Sequence, residues 1–222
     1  MKNYGKIKGN FSDADATLWA NKNLFLADYG IRPNYNMWNV ANGGELIDPT
    51  TGKVRPGVTR KYTPEKWDEY AFQSSRRIEG NLNMGGSSDK TSYFSSIGYL
   101  KDEGYSVKSD YERLTARLNL QHKPKEWLDA KMNIGYTHSQ SNNSGQASDS
   151  GSVFWFTDNI PSIYPLFLRD SEGNYVKDIY GGNQYDYVAG RGFGALTNSL
   201  GDVHYGLNRS IRDEINANAS FV

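Results

Sequence analysis

The chain has 222 residues, enough for one large domain or two small ones, and its 25 basic and 25 acidic side chains cancel. That balance argues against a general phosphate-binding surface, so nucleic acid is not an expected partner. Cysteine is absent, which removes disulfides, thiolate catalysis and cysteine-based metal sites. With Tyr 16, Phe 9, Trp 5 and Gly 23, the chain is aromatic- and glycine-rich, a composition that suits β structure with long polar loops and not disorder. No run approaches the roughly 20 apolar residues of a membrane-spanning helix. The opening MKNYGKIKGN is basic but no apolar stretch follows it, so no signal peptide is expected within the chain.

In chain order, residues 1–73 read as irregular with short helices. DADATLWANKNLFLADYG begins with acidic residues and ends at Gly30, a helix stop signal. TPEKWDEYAF has Thr63 as an N-cap, Pro64 at the first helical position and Glu65 in the first turn. DPTTGKVRPG between them is turn chemistry.

From residue 78 the period becomes two. Ile78, Gly80, Leu82 and Met84 alternate with Glu79, Asn81 and Asn83. A GGSSDK turn at 85–90 leads into a strand from Thr91 to Lys101, and a loop at 102–109 into a strand from Tyr111 to Gln121. There Leu114, Ala116, Leu118 and Leu120 interleave with Thr115, Arg117 and Asn119. A short turn at 122–126 holds Pro124 where no ladder hydrogen bond is needed. Leu128, Ala130, Met132, Ile134 and Tyr136 alternate next, then a Gly/Ser/Asn/Tyr-rich segment fills 139–210, and Ile215, Ala217, Ala219 and Phe221 alternate at the end.

An apolar face opposite a polar one fits a soluble sheet on a core. It fits equally a membrane barrel with lipid outside and a wet lumen inside. Periodicity leaves both open. Strands of about ten residues exceed the usual 5–6 and match a tilted membrane strand. The connections also alternate, with short turns at 85–90 and 122–126 on one side and long segments 1–73, 102–109 and 139–210 on the other. That is the pattern of an outer-membrane barrel, with short turns in the periplasm and long loops outside. In that reading Arg117 and Asn133 face the lumen, and Leu118 and Ile134 face lipid.

MGGSSDKTSYFSSIGYLKDEGYSVKSDYERLTARLNL resembles the SusC/RagA family of TonB-dependent outer-membrane transporters of Bacteroidetes. KPKEWLDAKMNIGYTHSQSNN is similar to that family's next hairpin, IPSIYPLFLRDSEGN to the loop after it, and TPEKWDEYAFQSSRRIEGNLNMGG to the approach to the first strand. The resemblance implies a plugged barrel of about 22 strands. It implies energy from the TonB complex, a SusD-like surface lipoprotein as lid, and uptake of a glycan or oligopeptide across the outer membrane. Signal peptide, plug and most of the barrel have no counterpart in the sequence, so the expectation is an internal fragment with about five all-β antiparallel strands. The expected divisions are 1–73 and 139–210 as extracellular loops, 74–138 as barrel strands and 211–222 as a further strand. The alternative is a secreted or surface β-sheet protein that binds carbohydrate.

The chemistry motifs are weak. In GSSDKTS, Asp89 stands where a phosphate loop needs glycine. GRGFG at 190–194 neither follows a strand nor opens a helix, and His122, His138 and His204 lack ligand spacing. Asp68-Glu69 and Asp102-Glu103 read as a solvated helix face and a turn, and the NxS motifs at 142–144 and 208–210 as chance in Asn/Ser-rich loops. No enzyme, metal or cofactor is expected. The candidate contacts to ligand or partner are Trp155, Phe156, Asp158, Tyr164, Tyr185 and Tyr187, with Asn159 and Asp186 nearby. Aromatic faces beside hydrogen-bonding groups suit a glycan or peptide platform. The competing assignment is a loop mini-core or an aromatic girdle.

Overall fold

Five strands, β1 Arg76–Ser87, β2 Thr91–Glu103, β3 Asp110–Lys125, β4 Leu128–Asn142 and β5 Arg209–Phe221, pair in sequence order as one antiparallel sheet. The computed structural model describes residues 1–26, 30–144, 151–187, 191 and 197–222. The fold class is the all-β one expected, with short helices α1 Lys2–Lys8, α2 Asp13–Lys22, α3 Gly43–Leu46, α4 Trp67–Ala71, α5 Val153–Asn159 and α6 Ser199–Tyr205. Chain contacts divide it into two units, Met1–Glu69 with Ala147–Asp202, and Tyr70–Gln146 with Val203–Val222. The two long segments that read as separate loops thus form one unit.

In the sheet unit, the strands outrun their alternation. Glu103 pairs with Asp110, so the loop between β2 and β3 is 104–109 and not 102–109. β3 continues through the expected turn to Lys125, which pairs with Leu128 across Glu126 and Trp127. Between His122 and Lys125 the register slips, with Lys123 and Pro124 facing Asp129 alone. Proline is tolerated at such a bulge because it owes the ladder no N–H there. The two short turns are tied together, Lys123 N donating to Lys90 O at 2.7 Å.

The irregular unit is built from caps and turns. Ser12 Oγ accepts the Asp15 N–H and starts α2, which ends at Lys22 and not near Gly30. Asn42 Oδ1 accepts the Glu45 N–H, while Glu45 reaches back to the Ala41 N–H, a reciprocal cap for α3. Three tight turns repeat one device. The Oδ1 atoms of Asp48, Asp170 and Asp178 each accept the N–H two residues on, and Gly52, Gly173 and Gly181 take the positive φ that each turn requires. Joined by the last two turns, segments around 167, 176 and 184 form a small ladder, Leu168 N to Gln184 O and Gln184 N to Val176 O, each 2.8–3.0 Å.

The core of this unit is aromatic, with Tyr35, Trp67, Phe156, Tyr164, Leu166 and Phe167 buried. Trp67 packs 5.0 Å from Phe156 and donates Nε1–H to the Tyr164 carbonyl at 3.0 Å. Helix α4 starts at Trp67, not at Thr63. Glu65, expected in its first turn, instead accepts the Leu166 N–H at 2.9 Å and pairs with Arg169. Burial, then the Asp186 carboxylate, pushes the Tyr35 phenol far above its ordinary value.

Candidate functional site

Directly paired residues share a face of an antiparallel sheet, and alternate residues along a strand change face. One row across the sheet is therefore Met84, Ser95, Leu118, Ile134 and Ala217, flanked by the row Leu82, Ile97, Ala116, Tyr136 and Ile215. The opposite face carries Asn83, Ser96, Arg117, Gly135 and Asn216, then Asn81, Gly98, Thr115, Thr137 and Glu214. Leu118 and Ile134 thus lie on one face and Arg117 and Asn133 on the other.

The apolar face is open. Leu82 is 72% exposed and Ile215 73%, and Met84, Ile97, Leu118 and Ile134 are exposed as well. Its margins are aromatic. Toward the loop between β2 and β3 stand Tyr99, which donates to Glu112 at 3.0 Å, and Tyr136, which donates to Asp213 at 2.7 Å. Toward the short turns stand Tyr93 and Phe221, with exposed Trp127 at the tip of the β3–β4 turn and Lys125 Nζ 5.6 Å from its ring. An apolar band between girdles of amphipathic rings is the profile of a surface against lipid.

The polar face holds a hollow of about 460 Å³ lined by Asn81, Ser96, Arg113, Thr115, Arg117 and Thr137. Its floor depends on glycine. A Cβ at Gly98 would meet Asn81 Oδ1 at 2.5 Å and Thr115 Oγ1 at 2.7 Å, so those groups occupy the space a side chain would take. Arg113, four residues before Arg117 on β3, joins it on this face. Sequence reasoning singled out Arg117 alone, although the same period of two would have paired them.

The structure separates the aromatic candidates. Helix α5 is capped by Ser152 Oγ, which accepts the Trp155 N–H at 3.4 Å. It turns Phe156, 0% exposed, into the core and leaves Trp155, Asp158 and Asn159 on the surface. Tyr164 is buried edge-on against Tyr35, 5.1 Å between ring centres. Tyr185 is half-buried against Phe167, Asp186 is buried, and Tyr187 donates its hydroxyl to Asp202 at 2.8 Å. Phe156 and Tyr164 are therefore buried in the packing of this unit. Trp155 and Asp158 keep a surface position. A seven-residue helix is too short for its period to reveal which aromatic turns inward. Of the histidines, His138 Nδ1 lies 2.7 Å from Asp213, His122 Nδ1 lies 2.8 Å from Thr91, and His204 packs on Tyr205. The GRGFG motif lies, apart from Arg191, outside the described residues.

No family model matches the sequence, and no curated protein matches it. Solved structures do resemble it. The RagAB peptide transporter is similar at 22% identity and a TM-score of 0.49. The RagAB peptide importer in its open-open state is similar at 23% and 0.48, and in its closed-closed state at 22% and 0.47. Each comparison covers 71% of this chain and 17% of the other, so the chain spans about a sixth of the length of the proteins it resembles.

Proposed function

We propose that this chain forms part of the wall of an outer-membrane β-barrel that imports nutrients, either glycan or oligopeptide, and is not itself an enzyme. One observation carries the reading: an exposed apolar face framed by Tyr93, Tyr99, Tyr136 and Phe221, opposite a polar face that holds Arg113 and Arg117. A carbohydrate-binding soluble sheet would need a layer over Leu82, Met84 and Ile215, which stand exposed. The sequence resemblance to the SusC/RagA family agrees with the reading and suggests its partners, a SusD-like lid lipoprotein and the TonB complex. Five strands are fewer than the eight of the smallest barrels, so the wall would be completed by strands beyond these. The unit that contains α5 would lie outside the cell, with Trp155 and Asp158 as its surface candidates for ligand or lid.

The test uses single cysteines, which stand alone because the native chain has none. In membranes, a lipid-confined thiol reagent should label Leu118→Cys and Ile134→Cys and spare Arg117→Cys and Asn133→Cys. The reverse pattern would overturn the wall reading.

A further inference from the structure

We infer that the hollow on the polar face binds solutes carrying carboxylate groups, with Arg113 and Arg117 as the two anion-holding side chains. The inference rests on the proposal that this face lines a wet lumen, and adds the chemistry of what the lumen holds.

The argument begins with charge pairing on that face. Arg77 is held by Glu79 at 2.9 Å and Asp102 at 3.2 Å. Arg212 is held by Glu214 at 2.9 Å, and Asp129 has Lys123 at 3.5 Å and Lys131 at 3.8 Å. Arg113 and Arg117 differ, having no hydrogen bond or ion pair among the described residues. Arg113 interacts electrostatically with Glu79, one oxygen of which is already engaged by Arg77 at 2.9 Å. Two guanidinium groups are thus left with their donors unspent, and both line the same hollow.

The surroundings complete a receptor for an anion. Thr137 and Ser96 offer hydroxyls and Asn83 an amide, Thr115 donates its hydroxyl to the Gly98 carbonyl at 3.4 Å, and no carboxylate is among the lining residues. The stem of Arg117 crosses the gap above Gly135, its Cγ 4.0 Å from where a Cβ would stand. A guanidinium presents a planar fork that matches a carboxylate in two parallel hydrogen bonds. Residues four apart on a strand stand about 13 Å apart. An elongated solute with several carboxylates can engage both forks. A neutral glycan would leave both cations unanswered.

The test uses the full chain in detergent micelles, with triglutamate as probe and maltotriose as neutral control. Titration calorimetry should detect triglutamate and not maltotriose. The double variant Arg113→Gln/Arg117→Gln should weaken triglutamate roughly tenfold or more. Arg113→Lys/Arg117→Lys should recover part of that loss, because the charge returns without the fork. Arg212→Gln, on the same face but paired with Glu214, should change affinity by less than about twofold. Circular dichroism should give every variant the same strand signal. Absence of triglutamate binding to the native chain, unchanged binding in the double glutamine variant, or an equal loss in Arg212→Gln would overturn the inference. So would inorganic phosphate competing as well as triglutamate at matched ionic strength. If cysteine labelling supports the lipid and lumen faces while triglutamate fails to bind, this inference falls alone; reversed labelling removes the wall reading beneath it.

Discussion

Glu65 shows how far one carboxylate can be drawn from its local role. In TPEKW it stands where the first turn of a helix would be, yet it pairs with Arg169 and accepts the Leu166 N–H, more than a hundred residues away. Both side chains of the pair are nearly buried. The guanidinium lies 3.5 Å over the Tyr175 ring and 5.1 Å over Tyr62, whose phenol burial pushes up to about 12. Removing one partner leaves a buried charge, at a cost of about 3–5 kcal/mol. Glu65→Ala should therefore speed proteolysis within 1–69 and 151–187 while hydrogen exchange in β2–β4 stays unchanged. No local pattern could have revealed the pair, because its second half depends on tertiary placement. Asp13 is a milder case. Lys2 and Lys6, at 2.6 and 2.8 Å, hold its carboxyl down to about 2 from an ordinary 3.8. Because the folded value is the lower one, the contact stabilises α1 on α2 above pH 3.8 and is lost as pH falls through 2. Amide exchange of Lys2–Lys8 should accelerate across that window, and Asp13→Asn should abolish the pH dependence.

Helix α3 meets α2 through Gly43. A Cβ there would stand 2.2 Å from the Asn21 carbonyl oxygen and 2.7 Å from Leu24 Cβ. Backbone cannot give way as a side-chain tip can, so Gly43→Ala should force α2 and α3 apart and cost roughly 1–3 kcal/mol. A fall in thermal midpoint checks this, with Gly44→Ala as control because its nearest neighbour is the Asn42 side chain at 3.2 Å. The elements differ in how plainly the sequence announces them. Strands β1, β3, β4 and β5 were legible because a period of two survives in Ile78–Met84, Leu114–Leu120, Leu128–Tyr136 and Ile215–Phe221, whereas the two faces of β2 are less clearly divided. Their ends were not. Thr137–Asn142 shows no apolar alternation, yet pairs residue for residue with Arg209–Glu214 on one side and Asp110–Thr115 on the other. Backbone hydrogen bonds extend a ladder where side-chain patterning has stopped. Helix α5 was hidden for a related reason: in VFWFTDN every aromatic looks equivalent until the fold buries Phe156 and leaves Trp155 out.

At the scale of the whole molecule, the opposition of Leu118 and Arg117 was readable, but the pairing of Arg113 with Arg117 around a glycine-floored hollow needed the register. The sheet also has two outer edges, on β1 and β5, unpaired among the described residues. Open edges offer backbone N–H and C=O groups to any other chain, and a wide apolar face adds a hydrophobic drive to the same end. In water the two effects act together. The isolated chain should therefore aggregate in plain buffer and become monodisperse, with strand-type circular dichroism, only when detergent covers Leu82, Met84, Ile97, Leu118, Ile134 and Ile215. Light scattering through a detergent titration follows this directly, and the loss of scattering should begin near the critical micelle concentration. A monodisperse monomer with a cooperative thermal transition in plain buffer would mean that the chain covers its own apolar face. That result would move the sheet from a lipid-facing wall to a soluble core and favour the carbohydrate-binding alternative.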